Sequence, residues 1–285
     1  MLFNLRDLLA DAGKNEYGIM ATIAFNFDSA EAVIKAAEEK RSPVILMAAE
    51  ALFKYFNFEK LIEPMIALAK EAKAPVSISL DHGKNRALIT RCIEKGFPSV
   101  MFDGSTLPLE ENIRVVKEII KQARPLGISV EGEVGVVKGL EGNVHLKDGE
   151  NRADLLTRPE DAARFVKETD VDALAISVGT VHGLFTSKPE LDFGRISKIK
   201  EALDTPLVLH GCSGLSDTDF KKIIKSGITK INYYSNLLLE ATQKAKEIAN
   251  SEHDIDYMEL NRLVMQAMKN AIKVKMDLFG SSGRG

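Results

Sequence analysis

The sequence predicts an α/β protein: a (β/α)8 barrel forming one domain over residues 1–285, with an added helix at each end. Three observations predict it. Short apolar runs recur about every thirty residues, each is followed by a longer helical pattern, and eight such units fit the chain. Continuous short apolar strands suit a parallel sheet covered by helices, and eight of them argue for closure.

The chain opens on an amphipathic helix, MLFNLRDLLADAG, whose Arg6 and Asp7 interrupt the apolar run and exclude a signal peptide. The first strand is Met20–Phe25, followed by a helix from Ser29 to Lys40. Pro43–Met47 is the second strand, with helices to Lys73. Pro75–Leu80 precedes a helix over Arg86–Lys95, and Ser99–Phe102 precedes one over Leu109–Ala123. Gly127–Glu131 leads into an irregular stretch to Thr157 and a short helix. Ala173–Ser177 leads to a helix over Phe193–Ala202, and Pro206–Leu209 to one starting near Ser216. Ile228–Ile231 precedes a long helix over Asn236–Ile248. A last helix runs from Asp256 to Phe279, and Gly280–Gly285 reads as a frayed tail.

Composition narrows the function. The 285 residues carry a formal charge of -3 and no basic block, which excludes a nucleic-acid partner. No apolar run reaches the length of a membrane span. Cys92 and Cys212 form no C-x-x-C pair, so the chain reads as a reduced, cytoplasmic protein. An open doubly wound sheet is the alternative fold, but no G-x-G-x-x-G follows the first strand.

Three of the five histidines sit just after strands: His82, His182 and His210, each followed directly by glycine. Strand ends converge on one face of a parallel barrel. Three imidazoles there, with an open fourth position, form a catalytic metal arrangement. Asp81 precedes His82 and suits either acid/base work or the orientation of a ligand. Asp103 with Ser105, and Glu131 with Glu133, each share one side of a strand end. A second metal position, or a hydrogen-bonded ring around the first, would partner these carboxylates. Gly183, Gly211, Ser213, Asn232 and Ser235 lie after strands six to eight, where barrels bind phosphate on backbone N–H groups. The polar stretch Val137–Arg158, which contains His145, follows the fifth strand closely and is placed to cover this face. His253, between the last two helices, reads as a surface residue.

Taken in order, LDHG (Leu80–Gly83), SVMFDGS (Ser99–Ser105), VEGEVG (Val130–Gly135), GTVHGLF (Gly179–Phe185), LVLHGCSGL and KIN (Lys230–Asn232) carry a specific resemblance. The chain resembles the class II, zinc-dependent fructose- and tagatose-bisphosphate aldolases, which are TIM barrels, over nearly its whole length. The resemblance implies reversible cleavage of a ketose 1,6-bisphosphate to dihydroxyacetone phosphate and glyceraldehyde 3-phosphate through a zinc-stabilised enediolate. It implies His82, His182 and His210 as zinc ligands and Asp81 as the acid/base on the C4 hydroxyl. Glu131 matches a glutamate associated with zinc movement or a second metal position, and Asn26 an asparagine near the substrate, while Asp103 is expected from its place at the fourth strand's end to join the metal-binding residues. Gly183, Gly211, Ser213, Asn232 and Ser235 are implied around the phosphate. A monovalent cation (Na+ or K+) and a homodimer or homotetramer are also implied.

The chain departs from the family pattern at Ser79, at Val137-Lys138-Gly139, at Phe185, at Tyr233-Tyr234 and at Arg284, while Glu141 keeps the family's glutamate. The departures surround the substrate, so another phosphorylated ketose or a keto-deoxy sugar acid phosphate stands as the alternative. Tyr233 and Tyr234 are expected to narrow the pocket or to bond a different substrate.

Overall fold

The eight runs form β1 (Ile19–Ile23), β2 (Val44–Ala49), β3 (Val76–Gly83), β4 (Ser99–Phe102), β5 (Ser129–Val134), β6 (Ala173–Ile176), β7 (Leu207–Leu209) and β8 (Ile228–Asn232). They pair in parallel in chain order and close into a barrel, with β8 returning to β1 through Ile19↔Lys230 and Ala21↔Asn232. This is the (β/α)8 barrel that the sequence predicts. The computed structural model describes residues 2–55, 57–139, 155–183, 189–251 and 254–285. His145, Glu141, Phe185 and His253 lie outside them.

Strand residues alternate between two apolar layers. Met20, Leu46, Ile78, Val100, Leu174 and Leu209 face outward and pack with the helices. Ile19, Ala21, Ile45, Met47, Met101, Ala173, Ala175 and Val208 fill the inside of the barrel. The outer ring is α2 (Phe27–Lys40), α3 (Phe58–Glu71), α4 (Arg86–Glu94), α5 (Leu109–Ala123), α6 (Pro159–Thr169), α7 (Phe193–Ala202), α8 (Asp217–Lys225) and α9 (Ser235–Ala249).

The opening segment becomes α1 (Leu5–Lys14), capped by the Asn4 side chain on the Asp7 N–H. Its Leu5, Leu8, Leu9 and Ala12 join the inner layer, so this helix plugs the barrel's N-terminal end. Arg6 pins it there: its Nε bonds Asp172 Oδ1 at 2.6 Å and its backbone N–H bonds Ser129 Oγ at 3.1 Å. The last helix, α10 (Tyr257–Phe279), packs against α2, α8 and α9.

Strand ends shift by up to three residues from the sequence reading, β3 running on to Gly83 instead of Leu80, and two differences have a clear physical cause. The fifth strand starts at Ser129 instead of Gly127, because Gly127 closes a 3-10 turn at φ 71°, a left-handed conformation that ends the preceding helix. The tail does not fray. Ser281 is fully buried and its Oγ bonds Ser42 Oγ at 2.8 Å. The Gly283 and Gly285 N–H groups bond the Lys40 and Arg41 carbonyls at 2.9 and 2.7 Å, and the Arg284 guanidinium stacks over the Tyr17 ring. The tail closes the base of the barrel, far from the strand ends where an anion contact would act.

Among the described residues, no helix is long and apolar enough to cross a membrane. Cys92 and Cys212 are both buried free thiols.

Candidate active site

The C-terminal ends of β3, β6 and β7 bring the three histidines together. His82 ends β3 in a left-handed conformation, φ 48°, which a bulky residue adopts only when its surroundings enforce it. The enforcement comes from the next residue: a Cβ on Gly83 would lie 2.5 Å from the Met101 carbonyl oxygen, so glycine alone lets β3 run this close to β4. His182 follows β6 and donates its backbone N–H to the Lys138 carbonyl at 2.7 Å. His210 follows β7, and Gly211 beside it, at φ 65°, has no room for a Cβ against Val181.

The ring nitrogens converge. His82 Nε2 lies 3.1 Å from His182 Nε2 and 2.9 Å from His210 Nδ1. Nitrogens around a tetrahedral zinc sit about 3.3 Å apart, given Zn–N bonds of about 2.0–2.1 Å, so small ring shifts would place all three on one ion. Each ring is held from behind, as metal-bound imidazoles usually are. His82 Nδ1 lies 3.0 Å from Asp103 Oδ2, His210 Nε2 lies 3.0 Å from Glu131 Oε1, and His182 bonds the Val137 backbone.

The electrostatics also suit a cation. Burial works against a charged His82, yet Asp81, Asp103 and Glu133 outweigh it and hold its ring up at about 10. Burial and the neighbouring charged His82 push His182 and His210 well down, leaving two neutral rings with lone pairs to offer. Burial raises Glu133 to about 8, against the pull of His82. Asp103 is also opposed by burial, but its bond to His82 holds it well below the usual carboxylate range. Four buried carboxyl groups, Asp81, Asp103, Glu131 and Glu133, face this cluster. A divalent ion satisfies such a donor set better than protons do.

Asp81 is buried on the inner face of β3, with Oδ1 accepting from Asn232 Nδ2 at 3.1 Å. Among the described residues its buried Oδ2 has no hydrogen-bond partner, nor does the buried Glu133 Oε2. A native protein rarely strands such atoms unless a ligand answers them. Asp81, His82, Asp103 and His182 line a cavity of about 530 Å3, with Lys54 and Lys84 on its wall. The volume suits a small ligand.

Among the described residues two ligand groups emerge: His82, His182 and His210, and a second made of His82, Asp103 and Glu133. Here the structure departs from the sequence reading. Glu131 sits behind His210 and bonds Lys230 Nζ at 2.7 Å, so it belongs to neither group, and Glu133 stands with Asp103 instead. Lys230 escaped the sequence reading. Its signal was the two-residue step to Asn232 on the same inward face of β8.

The proposed anion contacts divide. Ser213 Oγ accepts from the Asn236 N–H at 3.3 Å, tying the loop after β7 to the start of α9, where Ser235 is the first residue. The helix has no side-chain N-cap bond; its Asn236 N–H is taken by Ser213 Oγ and its Leu237 N–H by the Tyr234 carbonyl. Gly183 and Gly211 take positive φ beside the histidines. Asn232 faces Asp81 and His210 Nδ1 (3.1 Å), placing its amide among the reacting groups. Asn26 caps α2, with its Oδ1 on the Ser29 N–H at 2.8 Å, and the structure does not bring it onto the histidines.

The tyrosine expectation is corrected for Tyr233. It points outward, packs on Phe220 and accepts from Asn236 Nδ2, so it does not narrow the cavity. Tyr234 packs beside Phe25 near the end of β1. Ser79 is buried one inward step below Asp81, its hydroxyl on the Leu80 carbonyl.

Comparison with known proteins agrees with this geometry. The model of the family "Fructose-bisphosphate aldolase class-II" matches residues 3–284. The uncharacterized protein YdjI of Escherichia coli K12 is 37% identical over 284 residues, covering 100% of this chain and 99% of that protein. The crystal structure of the YdjI aldolase superposes with a TM-score of 0.88 at 36% identity, over 100% of this chain and 99% of that one. The fructose-bisphosphate aldolase of Campylobacter jejuni shares the fold, with a TM-score of 0.80 at 21% identity over 100% and 97% of the chains. Three converging imidazoles at the mouth of a closed barrel, with a family match from end to end, lead to one conclusion: the chain belongs to the class II fructose-bisphosphate aldolase family and is an aldolase, a carbon–carbon lyase.

Proposed function

We propose that the chain cleaves a ketose 1,6-bisphosphate, of fructose or tagatose, reversibly to dihydroxyacetone phosphate and glyceraldehyde 3-phosphate, with zinc held by His82, His182 and His210. The observation that carries this reading is the convergence of three ring nitrogens beside the unpartnered Oδ2 of Asp81. A bound divalent ion would supply Lewis acidity at the ketone oxygen. Asp81 Oδ2 takes the proton of the C4 hydroxyl as the C3–C4 bond breaks. The O–H electrons become the new aldehyde C=O, and the C3–C4 pair stays with the ketone half. Asn232 holds Asp81 through Oδ1, leaving Oδ2 for that proton. The first turn of α9, with Ser213 and Ser235, receives the phosphate of the ketone half. Gly183 and Gly211 let the backbone approach it.

A second reading keeps the chemistry and changes the substrate to a keto-deoxy sugar acid phosphate. The cavity wall favours it as much as a bisphosphate, since Lys54, Lys84 and Lys138 suit a carboxylate or a second phosphate equally. A substrate panel separates the two: fructose and tagatose 1,6-bisphosphates, fructose 1-phosphate and a keto-deoxy sugar acid phosphate, each with and without chelator. Chelator-sensitive release of dihydroxyacetone phosphate from a bisphosphate is expected, the faster epimer naming the substrate. Cleavage of the sugar acid alone replaces the first reading with the second. No cleavage of any, with the ion bound, removes the role given to Asp81.

A further inference from the structure

We infer that Lys230 is a positioning residue: by anchoring Glu131 across the barrel, it fixes His210 in the tautomer whose Nδ1 lone pair faces His82 and His182. The inference rests on the proposed use of those three rings to hold a divalent ion.

Lys230 is 1% exposed and reaches inward from β8. Glu131 is fully buried on β5, on the far side of the barrel. Their contact at 2.7 Å engages Glu131 Oε2, while Oε1 engages His210 Nε2 at 3.0 Å. A carboxylate only accepts, so His210 Nε2 carries the hydrogen and Nδ1 carries the lone pair. Asn232 gives the same answer independently. Its Nδ2 lies 3.1 Å from Asp81 Oδ1 and 3.1 Å from His210 Nδ1. With a carboxylate as one partner that atom must be the donor, so Nδ1 accepts.

This separates His210 from its two neighbours. His82 and His182 present Nε2 to the centre, whereas His210 presents Nδ1. The opposite tautomer would aim an N–H at the other two rings and abolish the site. Nothing in the imidazole itself enforces the choice; Glu131 does. A buried carboxylate holds one orientation only while a partner fixes its other oxygen, and Lys230 is that partner. Lys230 is absent from the wall of the cavity beside Asp81 and His82, and its side chain bonds Glu131, which in turn bonds His210.

The test compares wild type, Lys230→Met and the double variant Lys230→Met/Glu131→Gln. Glutamine keeps an acceptor for His210 Nε2–H and needs no buried cation. Zinc and cobalt affinities would be measured by competition with a chromophoric chelator. The tautomer of His210 would be read in the metal-free proteins from imidazole 15N shifts, which five histidines keep resolvable. Circular dichroism would confirm folding. In Lys230→Met the affinity is expected to fall about 10–100-fold, the usual effect of removing a group behind a ligand, and His210 to lose its single tautomer. The double variant is expected to recover most of the loss.

Wild-type affinity and an unchanged tautomer in folded Lys230→Met would overturn the inference. A double variant that folds yet stays as weak as the single one would also overturn it, by showing that the lysine acts other than through Glu131. Should Lys230→Met fail to fold, the double variant decides alone by its affinity. If wild type binds no divalent ion, the reading of the three histidines fails, and the 15N tautomer of wild type against the double variant still tests Lys230.

Discussion

Replacing Asp81 with asparagine isolates the chemical step. The side chain keeps its size, and an amide oxygen still accepts the bond that Asn232 Nδ2 gives to Oδ1 at 3.1 Å. What disappears is Oδ2 as a carboxylate oxygen, buried and without a hydrogen-bond partner among the described residues. A positioned acid or base contributes about 10²–10⁴-fold to a rate, so kcat for bisphosphate cleavage should fall by that factor. At about 1.36 kcal/mol per tenfold, the barrier rises by about 3–5 kcal/mol. KM should change little, because the proposed phosphate contacts at Ser213 and Ser235 lie on the loop after β7 and on α9. Metal content should equal wild type, since the histidines keep their supports at Asp103 and Glu131. Steady-state kinetics by coupled detection of dihydroxyacetone phosphate, with metal analysis and a thermal melt on the same sample, measures all of this. A loss below tenfold with the ion still bound would refute the assignment. A large loss accompanied by loss of the ion would refute the reasoning differently, by making Asp81 a ligand support.

Chelation should lower the unfolding temperature, and excess zinc should restore it, because an ion bound at 100 times its Kd adds about 2.7 kcal/mol; calorimetry with and without chelator checks this. Gly83→Ala sets a Cβ 2.5 Å from the Met101 carbonyl, and the backbone shift should cost about 1–3 kcal/mol in urea unfolding and weaken metal binding at His82. Deleting residues 280–285 removes the three long-range hydrogen bonds that anchor the tail, the backbone bonds to Lys40 and Arg41 and the Ser42–Ser281 pair, which at about 1 kcal/mol each should cost roughly 3 kcal/mol in the same assay while sparing metal binding. Burial holds the Cys92 thiol up at about 12 and Cys212 is fully enclosed, so a thiol reagent at pH 8 should label neither until denaturant unfolds the chain.

Much of this site could be read without coordinates, because a parallel barrel converts sequence position into place. A histidine at the end of an apolar run, or in the loop just after it, lies at the mouth, and His82, His182 and His210 all do. Asp81 was legible as the residue before His82, and in β3, whose Ile78 and Leu80 pack in the outer layer, it falls on the inner face. The carboxylates were harder. Glu131 and Glu133 share one face of β5, and only distance shows that the deeper one meets Lys230 and the outer one meets His82. Depth along a strand depends on the stagger between neighbouring strands, and that stagger arises from pairing, not from local pattern. Tyr233 misled for a different reason, because the alternation along β8 was not carried one residue past Asn232. It follows an inward residue, Asn232, and so points outward to Phe220. The tail was misread because its anchors, Lys40, Arg41 and Ser42, lie more than two hundred residues away in sequence.

The most direct test is an anomalous-scattering map from crystals soaked in zinc. A peak about 2.0–2.1 Å from His82 Nε2, His182 Nε2 and His210 Nδ1, beside Asp81, is the expected result. A peak held by Asp103 and Glu133 with only one histidine, or a coordination that uses Nε2 of His210, would contradict it.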